Sequence, residues 1–205
     1  MDKRTKNTIA TYDRVAQAYA ATNRTTDFWS REYKAFNSLL PKGRILEIGC
    51  GGGRDAIWFL KQPNYTYLGT DLSRGLLRVA KRVNPKGNFR YLDLYDLTFP
   101  SRSFDGVWSA ATLLHVPKRR LPRVLKNIHR ILRPGGIGCI TIKERRNVDE
   151  VTIKKNKYGG EERFFAFWSK YEFMSLLRQA GFNVLQTYRK TEEENIWLSF
   201  IFRRT

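Results

Sequence analysis

The sequence predicts an α/β fold: a doubly wound, mostly parallel sheet of seven strands ending in an antiparallel C-terminal hairpin. Three observations carry that expectation. Short apolar runs alternate with stretches of helical period through the first two thirds of the chain. Gly49, Gly51, Gly52 and Gly53 crowd directly behind the first such run. The last two runs, "FNVLQTYRK" and "IWLSFIFRR", are joined by only "TEEEN", which permits a hairpin and not a crossover.

The elements follow in order. Tyr12, Val15, Ala16 and Tyr19 fall at i, i+3, i+4 and i+7, one face of a helix. A second helix covers "DFWSREYKAFNSLL", with Phe28, Trp29, Phe36 and Leu40 apolar and Pro41 closing it. "RILEIG" is a buried strand, and "GRDAIWFLKQ" is a helix opening from the glycines. "YTYLGTD", "SRGLLRVAKRV" and "FRYLDLYDL" read as strand, helix and strand, and "FDGVWSAA", "KRRLPRVLKNIHRIL" and "GGIGCITIK" repeat that order. In "SKYEFMSLLRQAG", Ser169 and Glu172 form a capping box and Gly181 is a stop. Residues 1–205 are expected to form one domain, with 1–41 an N-terminal helical cap and 144–167 a polar, aromatic insertion forming a flap.

Composition narrows the function classes. The chain has 205 residues and 41% hydrophobic content, ordinary for a globular domain. No apolar run reaches the length of a membrane span, and "MDKRTKNTIA" lacks the core of a signal peptide. Cys50 and Cys139 are the only cysteines and stand in no metal-ligand spacing, so reduced thiols in the cytoplasm, and no metal, are expected. The net charge of +19 invites an anionic partner, with a solvated basic surface as the alternative. Arg119, Arg123, Lys126, Arg130 and Arg133 read as one basic stripe along a helix, and Arg74, Arg78, Lys81 and Arg82 as a second. In a doubly wound sheet these helices lie on opposite faces, so one short nucleic acid is not expected to touch both; nucleic acid is possible and not favoured. The sequence sets no oligomeric state.

In such a sheet the ligand lies beyond the carboxyl ends of the strands. A dinucleotide fingerprint, G-x-G-x-x-G/A, is met only by Gly51, Gly53 and Ala56, which places Gly49 and Cys50 where the strand should still be apolar. The other reading is E-x-G-x-G-x-G, from Glu47, Gly49, Gly51 and Gly53. A carboxylate ahead of the glycines repels a pyrophosphate and suits a ligand bearing an ammonium group.

With "ILEIGCGGGRD", "YLGTDLS", "YLDLYDLTFP", "FDGVWSAATLLHV" and "RILRPGGIGCITI" in this order, the sequence resembles the class I S-adenosylmethionine-dependent methyltransferases over nearly its whole length. The resemblance implies that fold, S-adenosyl-L-methionine as cofactor, and a cofactor site from Glu47, Gly49, Cys50, Gly51, Gly53, Asp71, Leu72, Asp93, Leu94 and Ala110. Asp71 would accept from the ribose hydroxyls, Asp93 from the adenine amino group, and the Leu94 N–H would meet the ring. The competing readings are a helix N-cap for Asp71, though Ser73 contends for that job, and a solvated strand-end carboxylate for Asp93, with Asp96 its rival. His115, at the mouth of the site, is a candidate general base or substrate contact, or a packing residue. Tyr12, Tyr19 and Arg163 are candidate contacts to the acceptor from the lid and flap; Tyr19 reads equally as core, and Arg163 as a flap anchor. The expected activity is methyl transfer to a small-molecule acceptor. An RNA methyltransferase (the tRNA wobble-uridine enzymes share the general layout) and a non-catalytic S-adenosylmethionine- or dinucleotide-binding protein are the alternatives.

Overall fold

The computed structural model describes residues 2–23 and 25–205. Its seven-stranded sheet runs β3-β2-β1-β4-β5-β9-β8. The strands are β1 (Gly43–Ile48), β2 (Tyr65–Asp71), β3 (Asn88–Tyr91), β4 (Phe104–Ala110), β5 (Leu132–Lys143), β8 (Phe182–Glu192) and β9 (Asn195–Arg204). β1 through β5 pair in parallel, while β9 runs antiparallel to both β5 and β8, so the terminal hairpin is as expected. The order reverses between β1 and β4, which opens the crevice at the end of β1.

Strand alternation sorts the core onto two faces. Leu46, Ile48, Ile140, Ile142, Phe200 and Phe202 face one way, under α5 (Leu121–Ile131) and α6 (Lys170–Gln179). Ile45, Tyr67, Trp108 and Cys139 face the other, under α2 (Ser30–Leu39) and α3 (Arg54–Phe59). On that second side α4 (Arg74–Val83) is joined to the start of α3: Asn84 Nδ2 donates to the Gly53 carbonyl over 2.9 Å. Helix α1 (Lys3–Thr22) packs across α4, burying Ala16, Ala20, Leu76 and Val79 together. Ser169 caps α6, with both halves of the capping box in place. Among the described residues no helix is long and apolar enough to cross a membrane.

Two local expectations need correction. The third strand stops at Tyr91 rather than running through "LDLYDL". Asp93 Oδ1 accepts from the Tyr95 N–H (2.8 Å) and the Asp93 carbonyl from Asp96 N–H (2.9 Å), so a turn replaces the ladder. The stripe from Arg119 to Arg133 is not one helical face, because α5 ends at Ile131, before Pro134, and Arg133 lies in β5 on Asp105. Arg130 turns inward onto the Phe99 carbonyl (2.6 Å) and the Leu97 carbonyl. Residues 144–167 are mostly ordered as a hairpin of β6 (Glu150–Lys155) and β7 (Glu161–Ala166), because six residue pairs in register satisfy its backbone.

Candidate functional site

At the carboxyl end of β1 the chain turns back on itself. The N–H groups of Gly49 and Cys50 both donate to the Thr70 carbonyl, over 2.7 and 2.9 Å, pinning the turn to the end of β2. Gly49, Gly51 and Gly53 all have positive φ, at 74°, 53° and 81°. The four glycines serve different neighbours. A Cβ on Gly49 would lie 2.1 Å from Thr112 Oγ1, one on Gly52 2.7 Å from Ala20 Cβ, and one on Gly53 2.6 Å from Asn84 Nδ2. Only a Cβ on Gly51 would meet nothing within 4 Å. Close approach of other segments accounts for three of them, and the open cavity for Gly51.

That cavity is lined from β1 by Glu47, Ile48, Gly49, Cys50, Gly51 and Gly52, and from β2 by Asp71 and Leu72. Leu94 and Tyr95 line it from the turn after β3, Ala110, Thr112 and His115 from the exit of β4, and Tyr12 and Tyr19 from α1. Of the residues singled out by sequence, Gly53, Asp93 and Arg163 stand behind this lining. Gly53 packs on α4, Asp93 holds the turn that presents Leu94 and Tyr95, and Arg163 contacts Tyr12 from β7.

Asp71 is oriented by backbone. The Gly51 N–H donates to its Oδ2 (2.9 Å) and the Ser73 N–H to its Oδ1 (2.8 Å). Ser73 is the N-cap of α4, leaving Asp71 directed at the cavity. Burial pushes the Asp71 carboxyl above its ordinary value, and those N–H groups oppose the shift. Glu47 is 2% exposed and accepts from the Tyr67 hydroxyl. Burial first, then the nearby Asp55 carboxylate, pushes it well up. Asp55 in turn pairs with Arg54 and accepts from Trp108 Nε1 over 2.8 Å. Sequence reasoning passed over Arg54 and Asp55, because they read as the polar first turn of a helix; their spacing behind the glycines gave no sign that Asp55 would be buried with Arg54 paired to it.

At the far end, His115 Nδ1 lies 2.6 Å from the Phe164 carbonyl and Nε2 lies 2.9 Å from the Tyr12 hydroxyl. A carbonyl only accepts, so Nδ1 carries the proton and Nε2 accepts from Tyr12. Burial holds this imidazole neutral, its value pushed down to about 3. The Tyr95 hydroxyl, buried on the same cavity, has no hydrogen-bond partner among the described residues.

The wall at this end depends on a cover. Helix α1 is clasped to the β6–β7 hairpin: Thr11 Oγ1 donates to the Glu162 carbonyl (2.9 Å) and Thr8 Oγ1 accepts from Phe164 N–H (2.9 Å). Arg4 also pairs with Glu150 (3.0 Å). Asp13 ties α1 to the start of α4, accepting from Ser73 Oγ (2.8 Å) and Gly75 N–H (2.7 Å). Asp13 carries no motif, and only the docking of α1 reveals it.

Known proteins place this geometry. A family described as a methyltransferase domain matches residues 45–136, the span from β1 to the start of β5. The fold is that of the class I methyltransferases. The domain resembles demethylmenaquinone methyltransferase of Symbiobacterium thermophilum, 33% identical over 138 residues, 61% of this chain and 54% of that protein. It also resembles 27-O-demethylrifamycin SV methyltransferase of Amycolatopsis mediterranei, 32% identical over 130 residues, 60% of this chain and 46% of that one. Among solved structures, 1,6-didemethyltoxoflavin-N1-methyltransferase of Burkholderia thailandensis matches with a TM-score of 0.65 and 23% identity, covering 93% of this chain and 90% of that one. At that identity the likeness concerns the fold. The chain spans about half the length of the curated relatives it matches.

Proposed function

We propose that the chain is an S-adenosylmethionine-dependent methyltransferase acting on a small-molecule acceptor. One observation carries this reading. In a protein of net charge +19, the charged side chains lining the cavity among the described residues are Glu47, Asp55 and Asp71 against Arg54. An acidic, buried wall repels the pyrophosphate of a dinucleotide and attracts a ligand with ammonium and sulfonium charges. The residues present fit that ligand on a second count, since Gly51 leaves open space where a Cβ would stand.

In this reading Glu47 and the Gly49–Gly51 backbone hold the amino-acid end, Asp71 accepts from the ribose hydroxyls, and Leu72 and Leu94 bound the adenine, with Asp93 holding the turn behind Leu94. When bound, S-adenosylmethionine supplies an electrophilic methyl group on sulfur. The remaining work is alignment and exclusion of water. The α1–hairpin cover excludes water. Tyr12 and Tyr19 orient the acceptor. His115 is a positioning residue here: with its Nδ1 proton on the Phe164 carbonyl, it holds the Tyr12 hydroxyl proton at Nε2, while Arg163 Nη1 donates to the Tyr12 oxygen. The named activities of the relatives and of the toxoflavin enzyme, all on small molecules, favour a small acceptor over RNA. So does the position of the basic α4 and α5 on opposite faces of the sheet. A cytoplasmic site with Cys50 and Cys139 reduced belongs to the same reading; both thiols are free and buried.

Calorimetry with S-adenosylhomocysteine and NADH tests the cofactor. Binding of the first and not the second is expected, and the reverse sinks the reading. Tritium transfer from labelled S-adenosylmethionine to a small-molecule panel, run beside bulk tRNA, tests the acceptor. Label appearing in tRNA alone would replace the small-molecule assignment with the RNA one.

A further inference from the structure

Beyond the acidic wall lies a cationic corner. Arg163, on β7, reaches the Tyr12 hydroxyl from Nη1 (3.4 Å), and its Cζ lies 5.6 Å from the centroids of both the Tyr12 and Phe165 rings. Lys143, the last residue of β5, places Nζ 4.8 Å from the Phe165 centroid and 5.3 Å from that of Trp197. Two cations thus share one aromatic ring. Both are half-buried, and among the described residues neither has an ion-pair partner. The buried indole Nε1 of Trp197 also lacks a partner. Arginine, lysine and indole are donors without acceptor capacity. A corner that offers donors only, with two like charges unpaired, is completed by a group that only accepts and is negative.

We infer that the acceptor carries an anionic group, a carboxylate or its equivalent, seated over Phe165 between Arg163 and Lys143, while its methylated atom meets Tyr12. The inference rests on the methyltransferase reading and deepens it by naming the substrate class. It also separates two charges: a cation-seeking wall for the cofactor and an anion-seeking corner for the acceptor. Phe165 packs against His115 at 4.9 Å, and His115 bonds Tyr12, so the corner lies directly behind the cavity end formed by those two residues. Burial and the charges of Arg163 and Lys155 push Lys143 down to about 8, with Glu192 opposing. An anion in the corner offsets that repulsion.

The test uses the full chain with 4-hydroxybenzoate and its neutral amide, 4-hydroxybenzamide, as probes, their binding followed by ligand-observed NMR with and without S-adenosylhomocysteine. The carboxylate is expected to bind at least tenfold tighter than the amide, and Lys143→Met and Arg163→Met each to abolish most of that preference. S-adenosylhomocysteine affinity should stay within about twofold in both variants. The carboxylate's advantage should also fall as pH rises through about 8, as Lys143 loses its proton, and this slope should vanish in Lys143→Met. Equal binding of the two probes overturns the inference. So does a carboxylate preference that survives both substitutions, since it would come from the general surface charge. Lys143→Gln and Arg163→Gln, with thermal melts, replace any methionine variant that fails to fold. If wild type fails to bind S-adenosylhomocysteine, the cofactor assignment falls, and the probe comparison without it still decides the corner.

Discussion

At its glycine end the cavity is walled by backbone. Gly51 and Ser73 N–H groups hold Asp71, the Thr70 carbonyl holds the turn, and Thr112, Ala20 and Asn84 leave no room for a side chain on three of the glycines. At its Tyr12 end the wall is made of side chains from α1, the β4 exit and the β6–β7 hairpin, joined by single hydrogen bonds through Thr8, Thr11, Tyr12 and His115. The first end is fixed by the fold of β1 and β2. The second exists only while the cover is docked. Backbone geometry suits a ligand that does not vary, and side chains on a separable cover suit an acceptor that must enter and leave.

The sharpest break of this contrast is Gly49→Ala set beside Gly51→Ala. Both have positive φ, so both lose roughly 1–2 kcal/mol to left-handed strain. At Gly49 the new Cβ also strikes Thr112 at 2.1 Å, adding roughly 1–3 kcal/mol of overpacking. Denaturant titration should show Gly49→Ala much less stable than Gly51→Ala. Calorimetry should show Gly51→Ala folded but weak for S-adenosylhomocysteine, its methyl group standing in the cavity. Equal stabilities would mean that the Thr112 contact relaxes and that the rigid end is softer than described.

Asp71→Ala comes next. It removes charge-assisted hydrogen bonds of about 1.5–3 kcal/mol each, so S-adenosylhomocysteine binding should weaken at least tenfold. Unchanged affinity would transfer the ribose contact elsewhere. At the other end, acid should act through His115. Its folded value, about 3, lies below the ordinary 6.5, so the unfolded chain takes up a proton that the folded chain refuses. Stability from this group is complete above the unfolded value and is lost as pH falls through it, roughly 2 kcal/mol by pH 5. Glu47 and Asp71, raised by burial, work in the opposite sense. The check is therefore the difference between wild type and His115→Gln in melting temperature from pH 8 to pH 5. A constant difference would show that the imidazole is charged or solvated when folded.

The smallest effect is expected at the clasp. Thr11→Val removes the bond to the Glu162 carbonyl, worth about 0.5–1.5 kcal/mol, and the longer one accepted from the Glu162 N–H (3.4 Å). Amide exchange in residues 150–166 should quicken while exchange in β1 and β2 holds. Exchange that is slow in the hairpin of both proteins, with or without ligand, would make the hairpin a permanent wall rather than a cover.

Much of the architecture was legible along the chain because it is local. The short, largely apolar runs "RILEIG" and "YTYLGTD" reflect strands buried on both faces, the five-residue "TEEEN" link admits only an antiparallel return, and Ser169 with Glu172 encodes its own helix start. Glu47, Gly49, Gly51 and Asp71 were legible for a related reason: the end of a strand and the turn that follows define one place in space. The sequence overstated the third strand and the α5 stripe, where an Asx turn at Asp93 and a chain reversal after Ile131 override the apolar and basic patterns.

By itself, then, the amino-acid sequence determined the order of elements, the crevice beyond β1 and the acidic character of its first strand, all consequences of short-range pattern and of how parallel strands connect. Tertiary structure alone decided that three of the four glycines answer to protein neighbours and one to the cavity, and that Asp55 is buried and paired with Arg54 in the cavity wall. It alone joined Tyr12 to His115 across 103 positions and set Arg163 and Lys143 against a single ring. The reason is physical: a side chain's partner across the sheet or beneath a docked helix depends on packing between distant segments, and no local spacing encodes that distance.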